Sequence, residues 1–394
     1  MKMKSEKFIF IHIGPHKTGT TSIQWGLCIN QNTLKKAGCL VPRAGRLGPR
    51  SGGHHLLGQQ LLAANDPAAV PKAWADLLDE IALCAEDQNI ILSAESFSLL
   101  DKARIRTLSR ILDGFQVRII IYLRRQDKLL QSLWAQRIKR PVIDFHQTFT
   151  DYIRIKDFSL GSMTSIEPGN YAQLVDNWAS VFGFQNLDLR MMEKTSLKRH
   201  LFHDFLSACG VEGASALRLP TNRNEIPGAK TLMAMMTLKE RLFRFAGGKT
   251  MTHLFRCVNW HAEFHKWNQQ RLNLVDEETF TDIMAYFEAS NQAVARKFFQ
   301  RDQLFLEPFK ESQLTPCSPA LLSDADLEGI FMAFPLSLVF THSQVERILQ
   351  PNLNQQEGKK FARELAGLWS SIQWKIITRI MKLMMWARSS PQEG

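Results

Sequence analysis

The stretch HIGPHKTGTT, His12 to Thr21, decides how the chain is read. It almost spells the phosphate-loop pattern G-x-x-x-x-G-K-[ST]. Gly14 and Gly19 have the required separation, and Thr21 stands at the final Ser/Thr position. Thr20 occupies the place of the lysine, however, and Lys17 sits inside the loop, two residues before the second glycine. The flanks fit a phosphate loop. FIFIHI (8–13) is a short apolar run closed by Gly14-Pro15, which predicts a buried strand. Beyond Thr20, Ile23, Leu27 and Leu34 fall near helical spacing. A glycine turn that opens a helix presents backbone N–H groups to an anion, and the helix dipole adds positive potential there.

The same alternation continues downstream. NIILSAES (89–96), VRIIIYLR (117–124) and NLDLRMM (186–192) predict three further buried strands. Helical patterns separate them: Trp74, Leu77, Leu78 and Ile81, then 101–112, then a helix starting near Asp127. Strands alternating with helices imply an α/β, P-loop-type three-layer fold with a central parallel sheet. Residues 40–53, rich in Gly, Pro and Arg, predict a mobile basic loop. Past about residue 225 the strand signal fades. The chain is expected to divide into a core, 1–225, and a mainly helical C-terminal extension, 226–394. The basic run FARELAGLWSSIQWKIITRIMKLMMWARSS (361–390) predicts an amphipathic helix rich in Trp and Met. It could pack on the core, or lie on a membrane surface or partner.

With 49 Lys and Arg against 38 Asp and Glu, the net charge of +11 favours a polyanionic partner or a multiply phosphorylated ligand. No nucleic-acid motif stands behind that charge, so nucleic acid is not expected as a partner. The six cysteines form no C-x-x-C pair and no zinc spacing, which predicts scattered reduced thiols. The apolar run after the N-terminal lysines is too short for a signal-peptide core, and no run reaches transmembrane length. A cytoplasmic protein is the expectation, peripheral at the inner membrane face if the C-terminal helix binds lipid.

In a triphosphate hydrolase the lysine after the second glycine reaches the β/γ-phosphates and a strand-end Asp helps hold magnesium. Here that lysine has moved, and the candidate strands end in Ser-Ala-Glu and in Arg-Arg. The site is poorly built for ATP hydrolysis, although a P-loop kinase or NTPase stays open as an alternative, as does a non-catalytic nucleotide-binding protein of the same fold. The segment Lys17-Thr18-Gly19-Thr20-Thr21 resembles the 5′-phosphosulfate loop of sulfotransferases that use 3′-phosphoadenosine 5′-phosphosulfate (PAPS). A second signature of that family is a strand ending in Arg with Ser eight residues later. YLRRQDKLLQS supplies it as Arg124 and Ser132. YAQLVDNWASVFGFQNLDLRMME (171–193) is also similar to a segment of bacterial sulfotransferase-like proteins. The resemblance spans residues 7 to 225.

The resemblance implies PAPS as co-substrate, no metal, and a carbohydrate or glycolipid acceptor. The loop, with Gly14, His16, Lys17, Thr18, Gly19, Thr20 and Thr21, would hold the 5′-phosphosulfate, and Arg124 with Ser132 the 3′-phosphate. Lys17 would stabilise the leaving oxygen. On the helix from Asp127 the apolar stripe is Leu129, Leu130, Leu133, Trp134 and Ile138; Ser132 falls opposite it and is expected outside the core. The acceptor must lose a proton, which calls for a general base. Glu95 is the first candidate, because it follows a strand at the sheet edge that carries the loop; a helix-capping carboxylate is the plain alternative. His54 and His55 are its rivals, since histidine needs little tuning to act as a base. His12, inside the first strand, reads as a hydrogen-bonded core histidine.

Overall fold

The computed structural model describes residues 7–49, 51–64, 66, 69–85, 87–156, 158, 166–193, 197, 200–211, 217–220, 226–245, 248–268, 272–310, 315, 321–332 and 355–370. Five parallel strands form one sheet: β1 (Phe8–His12), β2 (Cys39–Leu40), β3 (Asn89–Ser93), β4 (Gln116–Leu123) and β5 (Leu187–Met191), in the order β2-β3-β1-β4-β5. β1 lies at the centre, with Phe10 beside Ile91 on one neighbour and Arg118 on the other. The four strands expected from sequence are present within a residue or two of their predicted ends. β2 is an addition; it lies at the start of the stretch read as a loop and pairs through Cys39 and Leu40 with Asn89 and Ile90.

Both sheet faces are buried, as continuous apolar strands require. On one face Phe10, Ile91, Ile120 and Tyr122 pack with Ile23 and Leu27 of α1 (Thr20–Ile29), with Leu34 of α2 (Gln31–Lys36) and with Phe202, Phe205 and Leu206 of α9 (Leu201–Ala208). The alternate positions Ile9, Ile11, Ile90, Leu92, Ile119 and Ile121 are fully buried on the other face. That makes the expected α/β three-layer architecture. Further helices of this part of the chain are α3 (His55–Ala63), α4 (Lys72–Ala82), α5 (Lys102–Ile111), α6 (Gln126–Lys139), α8 (Tyr171–Phe182) and α12 (Glu277–Phe299).

The chain divides into two compact units, and they interleave in sequence. The first comprises 1–133, 156–225 and 275–311, the second 134–155, 226–274 and 312–394. A single cut at residue 225 is therefore not how the chain is organised. Residues 275–311 return to the sheet-bearing unit. There α12 is tied to α6 by a buried amide pair: Gln126 Nε2 donates to Asn291 Oδ1 at 2.7 Å and Asn291 Nδ2 donates back at 3.2 Å. Behind α12 the buried Glu193 carboxylate accepts from the backbone N–H of Leu306 (3.1 Å) and of Glu307 (2.9 Å). Arg125 donates to the Glu307 carbonyl at 2.6 Å while its guanidinium pairs Asp127.

The second unit is helical among its described residues, with α7 (Phe149–Ile155), α10 (Ala229–Leu242), α11 (Gly248–Phe264), α13 (Asp324–Met332) and α14 (Gln355–Ser370). Within it, buried Lys239 donates to the Arg137 carbonyl at 2.8 Å, capping the end of α6. The amphipathic helix predicted over 361–390 is described only as far as Ser370; its remainder lies outside the described residues. Among the described residues no helix is long and apolar enough to cross a membrane.

Candidate active site

The loop, Arg124 and Glu95 gather at the C-terminal edge of the sheet, where open α/β sheets bind ligands. β1 delivers its chain into the loop at His12, and Ile13 N–H still bonds to the Ile120 carbonyl (3.2 Å) before the turn begins. Gly14 (φ 25°), Lys17 (φ 66°) and Gly19 (φ 77°) then take positive φ. Such values suit glycine but are costly for lysine, so the loop holds Lys17 in a strained conformation. Thr18 Oγ1 ties the turn by donating to the Pro15 carbonyl at 2.6 Å. α1 starts at Thr20 with Gly19 as its cap and no side chain capping its first N–H groups. Those donors and the dipole point at whatever lies in the loop. Thr20 is buried and its Oγ1 has no hydrogen-bond partner among the described residues, whereas Thr21 is exposed.

Arg124, at the end of β4, donates from Nη1 to the Lys17 carbonyl at 2.8 Å. The two sequence signatures, 107 residues apart, are thus in direct contact. Arg124 is itself fixed by buried Tyr171, whose hydroxyl accepts from Arg124 N–H at 3.2 Å and donates to the Arg124 carbonyl. Burial lowers the pKa of the Arg124 guanidinium, yet arginine keeps its charge in proteins. Ser132 lies roughly two helical turns into α6. It is 2% exposed, against the expectation that it would stand clear of the core. Leu129, Leu130, Gln131 and Leu133 are equally buried. This part of α6 is enclosed all round, so an apolar stripe does not mark its inner face.

Ala94 N–H bonds to the His12 carbonyl (3.2 Å), extending the pairing of β3 with β1 and setting Glu95 beside the loop. Glu95 opens a short 3₁₀ turn, Glu95–Leu99. Its Oε2 lies 3.3 Å from His16 Nδ1. Burial works to raise the Glu95 pKa, but the hydrogen bond from His16 and the charges of His16, His55 and Lys17 outweigh it, and the net shift is downward. The carboxylate is ionised and faces three basic side chains, one of them Lys17. A cleft of about 400 Å³, counted out to bulk solvent, opens next to this group. Pro15, His16, Leu99, Leu129, Pro168 and Tyr171 help line it. Of the Ile166–Leu174 wall only its end, from Tyr171, had a signal in sequence, as part of the 171–193 segment.

His54 and His55 separate. His55, at the start of α3, is partly exposed and close enough to bias Glu95. His54 is fully buried and both ring nitrogens are engaged: Nδ1 accepts from Ser93 N–H (3.1 Å), and Nε2 meets the Pro42 carbonyl (3.0 Å). Burial, with Arg46 adding to it, lowers its pKa to about 3. His54 locks β3 to the preceding loop and has no nitrogen left to receive a proton. Arg46, in the supposed basic loop, is buried too, donating to the Pro42 (2.5 Å) and Val41 (2.5 Å) carbonyls. Among the described residues no cluster of three His, Cys, Asp or Glu is placed to hold a metal ion.

No protein-family model matches the chain. An uncharacterised protein of Archaeoglobus fulgidus is 23% identical over 219 residues, which cover 55% of this chain and 55% of that protein. The chain thus spans about half the length of the curated relative it matches. The crystal structure of a sulfotransferase from Alicyclobacillus acidocaldarius superposes on 62% of this chain and 95% of its own, with a TM-score of 0.36 and 13% identity. A likeness that loose carries no weight in assigning a function.

Proposed function

We propose that the chain is a sulfotransferase that moves a sulfuryl group from PAPS to a hydroxyl or amine of a carbohydrate or glycolipid acceptor. The observation that carries this reading is the contact between Arg124 and the Lys17 carbonyl. It joins a phosphate loop whose lysine lies inside the turn to the strand-end arginine of the second signature. The orphaned, buried Thr20 hydroxyl and the uncapped start of α1 fit a bound phosphate.

In this reading PAPS supplies the sulfuryl group and leaves as the 3′,5′-bisphosphate. Gly14, Thr18, Gly19 and the first turn of α1 hold the 5′ end through backbone donors, with Thr20 adding its hydroxyl. Arg124 has guanidinium N–H groups beyond the one spent on Lys17, and these, with Ser132, are assigned to the 3′-phosphate. Glu95 takes the acceptor's proton as the new bond to sulfur forms. Lys17 stabilises the electron pair left on the bridging oxygen when the old bond to sulfur breaks, and can protonate it. His16 orients the Glu95 carboxylate. The acceptor approaches through the cleft beside His16. A glycolipid acceptor would give the basic C-terminal segment a membrane surface to meet.

The test is ligand-dependent melting. A ligand that binds only the folded state raises the melting temperature by mass action. Adenosine 3′,5′-bisphosphate should raise it and ATP·Mg²⁺ should not. A shift with ATP·Mg²⁺ and none with the bisphosphate would overturn the reading in favour of a kinase or NTPase.

A further inference from the structure

Two buried polar atoms at the loop lack a hydrogen-bond partner among the described residues: Thr20 Oγ1 and His12 Nε2. Leaving such a group unpaired costs about 1–3 kcal/mol, and native proteins pair the great majority. These two groups are neighbours across Gly14. A Cβ built there would stand 2.6 Å from Thr20 Oγ1 and 3.1 Å from His12 Cε1, the ring carbon between Nδ1 and Nε2. With no side chain at position 14, nothing on the glycine stands between the threonine hydroxyl and the His12 ring.

The rest of the His12 ring is committed. Nδ1 lies 2.9 Å from Ser93 Oγ, and the Tyr122 and Phe205 rings pack on it at 5.8 and 5.3 Å. Gln24 Nε2 donates to the same serine oxygen at 3.5 Å, and the serine's own proton can then be given to His12 Nδ1. His54 fixes Ser93 in turn by accepting from its backbone N–H. With the serine donating to Nδ1, the neutral ring carries its proton on Nε2 as a donor.

We propose that His12 is a ligand-positioning residue, and that its Nε2–H and the Thr20 hydroxyl grip one and the same oxygen of the anion in the loop. The inference rests on the anion-binding part of the proposed function and not on the identity of the donor. A neutral donor inside an apolar wall suits an oxygen that must be oriented, while Lys17 and Arg124 supply the charge.

Inorganic pyrophosphate and adenosine 3′,5′-bisphosphate serve as probes, with affinity read by calorimetry. His12→Asn keeps an acceptor for Ser93 but loses the Nε2 donor; His12→Gln restores a donor near the Nε2 position; Thr20→Val removes only the hydroxyl. His12→Asn and Thr20→Val should each weaken binding about tenfold. The double variant should fall far short of a hundredfold loss, since a shared oxygen couples the two sites. His12→Gln should bind within about threefold of the unsubstituted protein. The Nε2 signal of His12 in ¹⁵N-histidine-labelled protein should move when pyrophosphate is added, a readout that needs no substitution at His12 should His12→Asn fail to fold. Unchanged affinity in His12→Asn, fully additive losses, or a static Nε2 signal with anion bound would overturn the proposal. Binding of pyrophosphate without the bisphosphate would overturn only the PAPS reading. Binding of neither would overturn both.

Discussion

Lowering the pH from about 8 to about 5 should remove roughly 4 kcal/mol of the first unit's stability through His12 and His54 alone. Both are fully buried. Burial pushes each pKa to about 3, with Glu95 pulling His12 slightly back and Arg46 pushing His54 further down. In the unfolded chain each returns to about 6.5. Folding therefore prefers the neutral form. The stability these residues contribute is complete above pH ~6.5 and is lost as the pH falls from there toward the folded value near 3. At pH ~5 the unfolded state holds nearly one more proton per histidine, which costs about 2 kcal/mol each. Against a typical total of about 5–15 kcal/mol that is a large share. Urea titrations followed by circular dichroism at several pH values give the slope of stability on pH. Near pH ~5 these two residues should contribute about 2.7 kcal/mol per pH unit, and His54→Asn should halve that contribution. Stability that stays flat from pH ~8 to pH ~5 would refute the reasoning, because it would mean that both rings take up a proton in place.

At Gly52 a Cβ would sit 1.6 Å from the Gln24 carbonyl oxygen of α1, so Gly52→Ala should destabilise the fold by about 1–3 kcal/mol, measured as a lower urea midpoint. Glu95→Gln should slow sulfuryl transfer about 10²–10⁴-fold at saturating acceptor while leaving bisphosphate affinity intact; a near-normal rate would remove Glu95 as the base. His16→Ala removes the hydrogen bond that helps hold the Glu95 pKa down, so the acidic limb of the rate profile should move to higher pH, and an unmoved limb would count against the His16–Glu95 coupling. Glu193→Ala strips two backbone N–H groups of their acceptor; faster hydrogen exchange at Leu306 and Glu307, with a loss of about 1–3 kcal/mol, is expected.

Four strands, the glycine loop and the helix after it could be read from sequence because each is a local pattern. A buried parallel strand is a short apolar run, and a phosphate loop is a fixed spacing of glycines. β2 escaped because a two-residue strand has no period, and Pro and Gly surround it. Arg46 looked like part of a basic surface because the carbonyls it caps have no signature in sequence. His54 looked like a base for the same reason: its partners, Pro42 and Ser93, lie 12 and 39 residues away. Ser132 was placed by an amphipathic rule that holds only for a helix with one face in water. His12 was half legible. One ring nitrogen is satisfied as a core histidine's should be, and the other is not.

The return of residues 275–311 to the sheet-bearing unit bears on the order in which the protein is made. All five strands have been synthesised by Met191, and the loop, Arg124 and Glu95 with them. Yet Glu193, Gln126 and Arg125 are still waiting for the backbone and side-chain partners that α12 and the 304–308 segment bring. A nascent chain must extrude the intervening stretch 226–274, which belongs to the other unit, before those buried groups are satisfied. A truncation after residue 225, where a domain boundary looks natural, would strand them unpaired, and the shortened chain should depend on chaperones or aggregate even though it carries the whole sheet.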